Sequence, residues 1–452
     1  MNWGRKRITF CLFFIFTILL TFSPDAFSQE KNIFKERRAK LASMIEKGIV
    51  IIQGSQRTQD NLYEHFAADS DNHDFIFLTG LETANATLIL CPASQEYPEI
   101  LYIDGNQEKI KKETEIRHVF PLKNLLPDLS NAYTDFSLMR YTQRVWKPLP
   151  SEIARILYNP EGKKVIYFNF PRFVNLAEAP PKRLELIKRI EFFSPKYELW
   201  DASDLLDTLR MYHDPYGIEQ LRKATHITGE AIIECMKSAT PGMSKDQLKS
   251  VFNFVAYFKG ATGFGFSGSI DTEPKLPLEN APPQSKILKV GQLINMDVGA
   301  EVNHYTADIQ RVFPVSGKFT DEQKKAYAAV KKAQEACIKM VKPGVTMKDL
   351  QDTAMRVLDQ EGGYGKYFKW GTSHFLGMET HDVGNNLIPF KAGIVITVEP
   401  GIVLSEYNVI LEDDILVTEN GYEWLTEFIP RKIEDIEKVM KEEGIGEIFM
   451  KR

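Results

Sequence analysis

The stretch MDVGAEVNHYTADIQRVF, residues 296–313, carries two carboxylates, Asp297 and Asp308, in runs that otherwise have the composition of buried β-strands. Gly299 and Asn303 lie between them and favour a turn, so the stretch predicts two antiparallel strands of one hairpin. Burying two ionised carboxylates side by side is costly unless a cation neutralises them. The stretch therefore predicts either solvated residues at a sheet edge or ligands of a metal ion.

Two further strand-like runs downstream carry acids in the same kind of setting. Glu399 ends the apolar run GIVITVEPG and is followed by Pro-Gly, which fixes its carboxylate at the end of a strand. In NVILEDDILV, Glu412 and Asp414 share one strand face and Asp413 takes the other. These acids are either a solvent-facing stripe with one structural carboxylate or, because apolar residues flank them, part of a half-buried site.

Two histidines lie between the first pair of acids and the second, in SHFLGMETHDVG. His374 and His381 are seven positions apart, and Gly377 and Gly384 interrupt any helix, so a strand or loop placement is expected. Taken singly, each histidine is more often a satisfied structural residue than a ligand. Together with the acids, they offer the oxygen-rich ligand set with one imidazole that a pair of divalent metal ions requires.

The length of 452 residues allows two domains, and 43% hydrophobic with 26% charged residues is the balance of a folded globular protein. The N-terminal part alternates helical stretches with short β-branched runs, which indicates a mixed α/β domain. Longer helical patterns follow. We therefore predict domains at 29–204 and 205–452, and the recurrence of helix, Pro-Gly and helix around Pro241 and Pro343 hints at an internal duplication.

The first 28 residues have the features of a secretory signal peptide. Three basic residues precede the apolar run 8–22, and Ala26-Phe27-Ser28 forms an A-x-S cleavage motif. An uncleaved membrane anchor is disfavoured because the run is shorter than the roughly 20 residues that span a bilayer. We therefore expect residues 1–28 to be removed and the protein to be exported, periplasmic or secreted, without stable membrane insertion.

Net charge bears on the class of binding partner, and the positions of the cysteines bear on disulfide formation. Residues 1–28 hold three of the 56 basic and one of the 61 acidic residues, so 53 basic and 60 acidic residues remain, a net charge of −7. No basic stretch is concentrated enough to suggest nucleic acid as a partner. Cys91, Cys235 and Cys337 lie in apolar stretches and are predicted to be small core residues, with one disulfide as the alternative.

Five stretches resemble the pita-bread metallopeptidases, specifically aminopeptidase P and its prolidase relatives: MDVGAE, YTADIQRVFPVSGKFT, SHFLGMETHDVG, TVEPGIV and LEDDILVT, in the family order between Met296 and Thr418. In the N-terminal half, FIFLTGLETANATLILCP resembles the creatinase-type domain of the same family. The resemblance implies an α/β (α+β) protein, with an N-terminal creatinase-type α/β domain followed by a C-terminal pita-bread catalytic domain.

The resemblance implies a site for two divalent metal ions. Asp297 would hold the first ion, and Asp308 and Glu412 would bridge both. His374 and Glu399 would complete the ligands of the second. Manganese is the ion implied first, in line with the preference of oxygen-rich sites for a hard ion, and zinc or cobalt would satisfy the same ligands.

The resemblance also implies a hydrolytic mechanism. Water activated by the metals would attack the bond that precedes proline, and Glu399 would accept its proton. His381 matches the family histidine that contacts the substrate near the scissile bond, where it would stabilise the oxyanion. The expected substrate is a peptide with a free N-terminus and proline at the second position, and the subunits are expected to form a homo-oligomer.

Three positions depart from the family pattern. At a substrate-binding position where the family carries a histidine, this chain has Asn280, which can donate a hydrogen bond but cannot shuttle a proton near neutral pH. Trp370 replaces a histidine of the substrate pocket, and Ile410 replaces an arginine. None of the three removes a ligand. We expect metal binding to be retained and turnover or substrate choice to change, since general acid-base help is typically worth about 10² to 10⁴ in rate.

Several functions remain to be separated. The leading hypothesis is an exported dinuclear-metal aminopeptidase that releases the N-terminal residue from Xaa-Pro peptides. A prolidase that cleaves only Xaa-Pro dipeptides is its sibling. Asn280, Trp370 and Ile410 favour instead a metal-binding pseudoenzyme or peptide-binding protein. A creatinase-like hydrolase without metals is disfavoured because all five ligands are present.

Overall fold

The computed structural model describes residues 24–54, 70–83, 86–125, 164–170, 184–193, 197–273 and 286–446. The chain forms two compact units, Met1–Leu206 and Asp207–Arg452. Residues 1–23 of the predicted signal peptide and Asn280 lie outside the described residues. Of the helices within those ranges, none is both long enough and apolar enough to cross a membrane.

The N-terminal unit is built on one mixed β-sheet. Its elements are α1 (Pro24–Ser43), β1 (Ile49–Gln53), α2 (Ser70–Thr79), β2 (Thr87–Leu90), β3 (Glu99–Tyr102), α3 (Gln107–Thr114), β4 (His118–Phe120), β5 (Lys164–Phe168), α4 (Leu184–Phe193) and β6 (Tyr197–Asp201). The strand order is β4-β3-β2-β1-β5-β6, with antiparallel β1–β2 and β2–β3 pairs and parallel pairs elsewhere. Ile51, Ile89 and Ile100 on the central strands are fully buried. The predicted mixed α/β domain is confirmed.

The helices of the C-terminal unit are α5 (Ser203–Met211, which crosses the boundary between the units), α6 (Pro215–Ser238), α7 (Lys245–Phe258), α8 (Asp321–Met340), α9 (Met347–Gln360) and α10 (Ile433–Val439). Polar side chains cap the N-termini of α6 to α9. The hydroxyl of Ser244 accepts a hydrogen bond from the amide of Gln247, and the side-chain oxygen of Gln247 accepts one from the Ser244 amide. Thr320 and Thr346 cap α8 and α9 in the same reciprocal way.

The strands of the C-terminal unit form small antiparallel sheets. They are β7 (Gly263–Phe264), β8 (Ser269–Asp271), β9 (Leu293–Val298), β10 (Ala300–Val302), β11 (Tyr305–Thr306), β12 (Ile309–Pro314), β13 (Val395–Val398), β14 (Gly401–Val403), β15 (Asn408–Ile410), β16 (Asp413–Thr418) and β17 (Gly421–Trp424). Their orders are β12-β9-β8, β11-β10-β7, β13-β16-β17 and β14-β15.

The strands at Asp297 and Asp308 pair antiparallel, as predicted. They belong to one hairpin, as predicted, because the shorter pair β10 and β11 continues the same register and carries the turn at Asn303; the break between the two pairs was not predicted. Gly299 is where the chain leaves the long pair for the short one, and a Cβ there would lie 1.8 Å from the carbonyl oxygen of Ala307. Strands of two or three residues leave too little alternation in a sequence to be recognised.

The internal duplication suggested by the sequence is present in the C-terminal unit. Gly242 and Gly344 lie in the turns that follow the first helix of each pair, with φ angles of 92° and 94°. Their amides donate to the carbonyls of Leu288 and Phe390 at 2.9 and 3.0 Å. One offset of 102 residues relates equivalent positions in the two halves: Cys235 and Cys337, Gly242 and Gly344, Leu288 and Phe390, and Asp297 and Glu399. Each half therefore supplies one long and one short strand pair.

Candidate metal centre

Four acids lie where the strand pairs of the C-terminal unit are interrupted. Asp297 is one residue from the end of β9, and Asp308 directly precedes β12. Glu399 directly follows β13, and Glu412 directly precedes β16. At each break the chain passes from one strand pair to the next, and the two halves bring these breaks together at one site.

His374 lies among the acids. Its Nε2 atom is 3.5 Å from Asp308 Oδ2, 3.5 Å from Glu399 Oε1 and 3.6 Å from Glu412 Oε1. Three groups of three side chains in the described residues have ligand atoms within 4.8 Å of one another, and two of them share Glu412: Asp297, Asp308 and Glu412, and His374, Glu399 and Glu412. Glu412 belongs to both groups, which is the arrangement that two neighbouring cations would need.

The carboxylates around His374 are of the type that binds divalent cations, and most of them are buried. Asp308, Glu412 and the neighbouring Asp414 are 4%, 3% and 0% exposed. The Oδ1 atom of Asp308 is buried and accepts no hydrogen bond from the described residues. Burial, followed by the charge of Asp308, raises the pKa values of Glu412 and Asp414 well above the usual range. Carboxylates packed this closely require a counter-charge.

The imidazole of His374 is oriented for coordination. Its Nδ1 lies 3.0 Å from the carbonyl oxygen of Phe375, so Nδ1–H donates to the backbone and Nε2 faces the acids. Burial opposes a charge on this ring, but hydrogen bonds to Asp308 and Glu412 outweigh that effect and raise the pKa of His374 well above its usual value. Nε2 is thus the ring atom that faces the carboxylates and would bind a metal ion placed among them.

The backbone of both glutamates is held from either side. The Glu399 amide donates to the carbonyl of Thr372 at 2.7 Å, and the indole nitrogen of Trp370 donates to the Glu399 carbonyl at 3.3 Å. The Glu412 carbonyl accepts a 2.6 Å hydrogen bond from Arg311. These contacts limit how far either carboxylate can move.

His381 lies beside this cluster but is open to solvent. Its ring centroid is 4.1 Å from that of His374, and its ligand atom lies within 4.8 Å of those of Asp308 and His374. Both histidines are in loop segments, in line with the predicted strand or loop placement. Partial loss of hydration, followed by the charge of His374, lowers the pKa of His381. A neutral, accessible imidazole here can contact a molecule bound at the acids.

Comparison with known proteins identifies the family. Residues 219–419 match the profile of metallopeptidase family M24, and residues 34–129 match the N-terminal domain of aminopeptidase P. The Xaa-Pro aminopeptidase of Haemophilus influenzae is 30% identical over an alignment of 450 residues, which covers 91% of this chain and 97% of that protein. The chain belongs to the aminopeptidase P family. It is thus a metallopeptidase by family, with the N-terminal and catalytic domains predicted from the sequence.

Solved structures and a second group of relatives agree with this family. The Pseudomonas aeruginosa aminopeptidase PepP has the same fold, with a TM-score of 0.74 at 22% identity over 91% of this chain and 98% of that one. The Xaa-Pro dipeptidase of Pyrococcus furiosus is 31% identical over 234 residues, which is 51% of this chain and 67% of that protein. Aminopeptidase P and prolidase relatives are thus both similar to this chain, the prolidase over about half of its length.

Two of the departures from the aminopeptidase P pattern lie against the same glycine. A Cβ on Gly401 would lie 2.7 Å from Ile410 Cγ1 and 2.7 Å from Trp370 Cζ2. The Trp370 ring packs edge-on against Phe368, with centroids 5.3 Å apart. Trp370 also donates to the Glu399 carbonyl, so this apolar contact around Gly401 lies next to a candidate ligand.

The sequence did not reveal an ion pair that supports the loop carrying His381. Arg210, in α5, donates to Glu379 at 2.8 Å and to Asp382 at 2.5 Å. Asp382 in turn accepts hydrogen bonds from the amides of Met378 and Val383. The neighbouring sequence HDVG showed an acid next to His381, but nothing in it indicated a partner 172 residues away.

The acids after Glu412 have separate structural contacts. Asp413 pairs with Arg311 at 2.5 Å, and both side chains are fully buried. Asp414 accepts a 2.8 Å hydrogen bond from the hydroxyl of Thr225 and a 3.4 Å bond from the amide of Asp308. Asp413 and Asp414, predicted to lie on opposite faces of the strand, thus have different partners. Asp414 helps to position Asp308.

Proposed function

We propose that this chain is an exported aminopeptidase that uses two divalent metal ions to release the N-terminal residue from peptides with proline at the second position. The observation that carries the proposal is the pair of overlapping ligand groups around Glu412, with His374 Nε2 within 3.6 Å of three carboxylates. Membership of the aminopeptidase P family supports the reaction class.

The ligand assignment follows the two groups. Asp297 would hold one ion, and His374 with Glu399 the other. Asp308 and Glu412 would be shared. Carboxylate oxygens dominate this set, which favours manganese, whereas zinc or cobalt remain acceptable to the same donors. When bound, the ions would lower the pKa of a water molecule and polarise the carbonyl of the scissile bond.

The chain's own side chains have distinct roles in this proposal. Glu399, held by backbone hydrogen bonds on both sides, would accept a proton at a carboxylate oxygen. His381 is accessible and lies next to His374, so its ring would hydrogen-bond the substrate where negative charge develops. The Nδ1–H of His374 keeps its bond to the Phe375 carbonyl throughout.

Activity on an Arg-Pro-Pro peptide tests the proposal directly. The purified protein is depleted of metal, reconstituted with manganese and assayed for released arginine, with metal stoichiometry measured on the same sample. We expect two ions per chain and metal-dependent release of arginine. Two bound ions without hydrolysis would favour a metal-binding pseudoenzyme, the function that Trp370, Ile410 and Asn280 suggest.

A dipeptidase is the second candidate, supported by the similarity of about half of the chain to the Pyrococcus furiosus Xaa-Pro dipeptidase. Parallel assays on Arg-Pro and Arg-Pro-Pro distinguish the two enzymes. Cleavage of the dipeptide alone would rule out the aminopeptidase.

Export and assembly are parts of the same proposal. The basic and apolar segment with its A-x-S motif supports cleavage after Ser28, so mass spectrometry of the protein recovered outside the cytoplasm should give Gln29 as the first residue. Analytical ultracentrifugation of the same material tests the proposed homo-oligomer.

A further inference from the structure

Gln334 bridges the two strands that lead into the candidate glutamate ligands. It lies in the second half of α8 and is fully buried. Its Nε2 atom donates to the carbonyl oxygen of Val398 at 3.1 Å and to that of Leu411 at 2.9 Å. These carbonyls belong to the residues immediately before Glu399 and Glu412.

The break in strand pairing explains why a side chain is needed there. β13 pairs with β16 up to Val398 and Asp413, and β14 pairs with β15 from Gly401 and Ile410 onward. Between the two ladders, a 3.4 Å bond from the Leu411 amide to the Pro400 carbonyl joins the strands. Buried backbone carbonyls need hydrogen-bond donors, and the Gln334 amide supplies two bonds at this gap.

The orientation of the Gln334 amide is fixed by a second contact. Its Oε1 atom accepts a 3.4 Å hydrogen bond from Arg431, so the NH₂ group faces the two carbonyls. Arg431 in turn stacks on the ring of Trp424 at 3.8 Å and lies 3.8 Å from a carboxylate oxygen of Glu335. The bridge therefore belongs to a connected set of buried or half-buried side chains.

The bridge is not a consequence of the internal duplication. The offset of 102 residues that relates the two halves places Ile232 where the second half has Gln334. Ile232 is fully buried and offers no hydrogen bond. At the first break, the helix α6 contributes the polar side chain of Thr228. Its hydroxyl accepts a 2.9 Å hydrogen bond from the Ala300 amide and does not join two strand carbonyls.

We propose that Gln334 is a positioning residue of the metal centre, which sets the separation of Glu399 and Glu412 by holding both strands on one amide group. This role rests on the proposed assignment of the two glutamates as metal ligands. Side chains that orient metal ligands typically contribute about 10- to 100-fold to metal affinity. We therefore expect loss of the bridge to weaken manganese binding to that extent.

Gln323 provides a matched control on the same helix. It is buried as well, at 5% exposure, and its Nε2 donates a 2.9 Å hydrogen bond to the carbonyl of Gly291, which is not next to a candidate ligand. Gln334→Met and Gln323→Met are compared with the unchanged protein by calorimetric titration with manganese and by urea unfolding in EDTA. Gln334→Asn and Gln323→Asn, which retain a shortened amide, are the milder pair if a methionine variant does not fold.

The expected result is a manganese Kd raised at least about tenfold in the Gln334 variant and unchanged in the Gln323 variant, at similar losses of metal-free stability. Equal effects of both substitutions on Kd, or a Gln334 variant within about threefold of the unchanged protein, would overturn the positioning role. Failure of the unchanged protein to bind manganese, zinc or cobalt would instead refute the proposed function.

Discussion

Arg210 donates a 2.5 Å hydrogen bond to Asp382, the residue after His381, and the two side chains are 0% and 2% exposed. Asp382 also accepts the amides of Met378 and Val383, so the guanidinium and the loop backbone share one carboxylate. The accessible ring of His381 is thus attached to a rigid, buried anchor.

Removal of the Arg210 guanidinium is expected to be strongly destabilising. Arg210→Met leaves Asp382 buried without its cation, and removing one partner of a buried pair costs about 3–5 kcal/mol. Urea unfolding in EDTA measures the loss. Arg222→Met is the control, because the Arg222–Glu423 pair is about two-fifths exposed on each side and such pairs contribute under about 1 kcal/mol. Similar losses in both variants would contradict the anchoring role.

Gly299 is expected to tolerate no side chain. A Cβ at this position would lie 1.8 Å from the Ala307 carbonyl oxygen, so Gly299→Ala must separate the strands that carry Asp297 and Asp308. We expect a loss of about 2 kcal/mol or more in free energy of unfolding, together with weaker manganese binding. Gly421→Ala, with no atom within 4 Å of the added carbon, should change stability by under about 0.5 kcal/mol. A neutral Gly299→Ala would show that the strands can shift freely.

The acids and His374 could be predicted because each interrupts an apolar run or a glycine-rich motif. A charged residue within an otherwise apolar strand is a sign that it is buried for a purpose. Arg210 and Gln334 could not. Each lies in an amphipathic helix, where a charged or amide side chain is ordinarily solvated. Their partners are 64 to 172 residues away in the chain, and only the folded strands bring them together.

Trp370 and Ile410 are expected to be energetically coupled. Both lie against Gly401, so replacing either one alone with the residue expected from the family leaves its neighbour with a mismatched partner. Trp370→His, Ile410→Arg and the double variant form a cycle measured by urea unfolding. We expect the double variant to be less destabilised than the sum of the single ones, by about 0.5–3 kcal/mol. Leu387→Arg, at an 89% exposed position, should combine additively with Trp370→His. Additivity in the first cycle would mean that the two replacements are independent.

Metal binding is expected to protect a buried thiol in the C-terminal unit. Cys337 is buried and unpaired, and burial raises the pKa of its thiol to about 12, so it reacts with a thiol reagent only when the surrounding structure opens. Ligands that bind only the folded state stabilise it by about 2.7 kcal/mol at 100 times Kd, which corresponds to roughly 100-fold slower labelling through unfolding. Mass spectrometry after timed labelling measures the rate at Cys337 with manganese and with EDTA.

Asp308→Ala separates this effect from general stabilisation by salt. Asp308 belongs to two of the three groups of side chains whose ligand atoms lie within 4.8 Å of one another, so its loss should remove shared coordination. In this variant we expect at most one ion per chain, and labelling of Cys337 that manganese slows far less than in the unchanged protein. Equal protection by manganese in both proteins would contradict the assignment of Asp308 as a shared ligand, because the loss of a shared carboxylate must weaken binding at the site it belongs to.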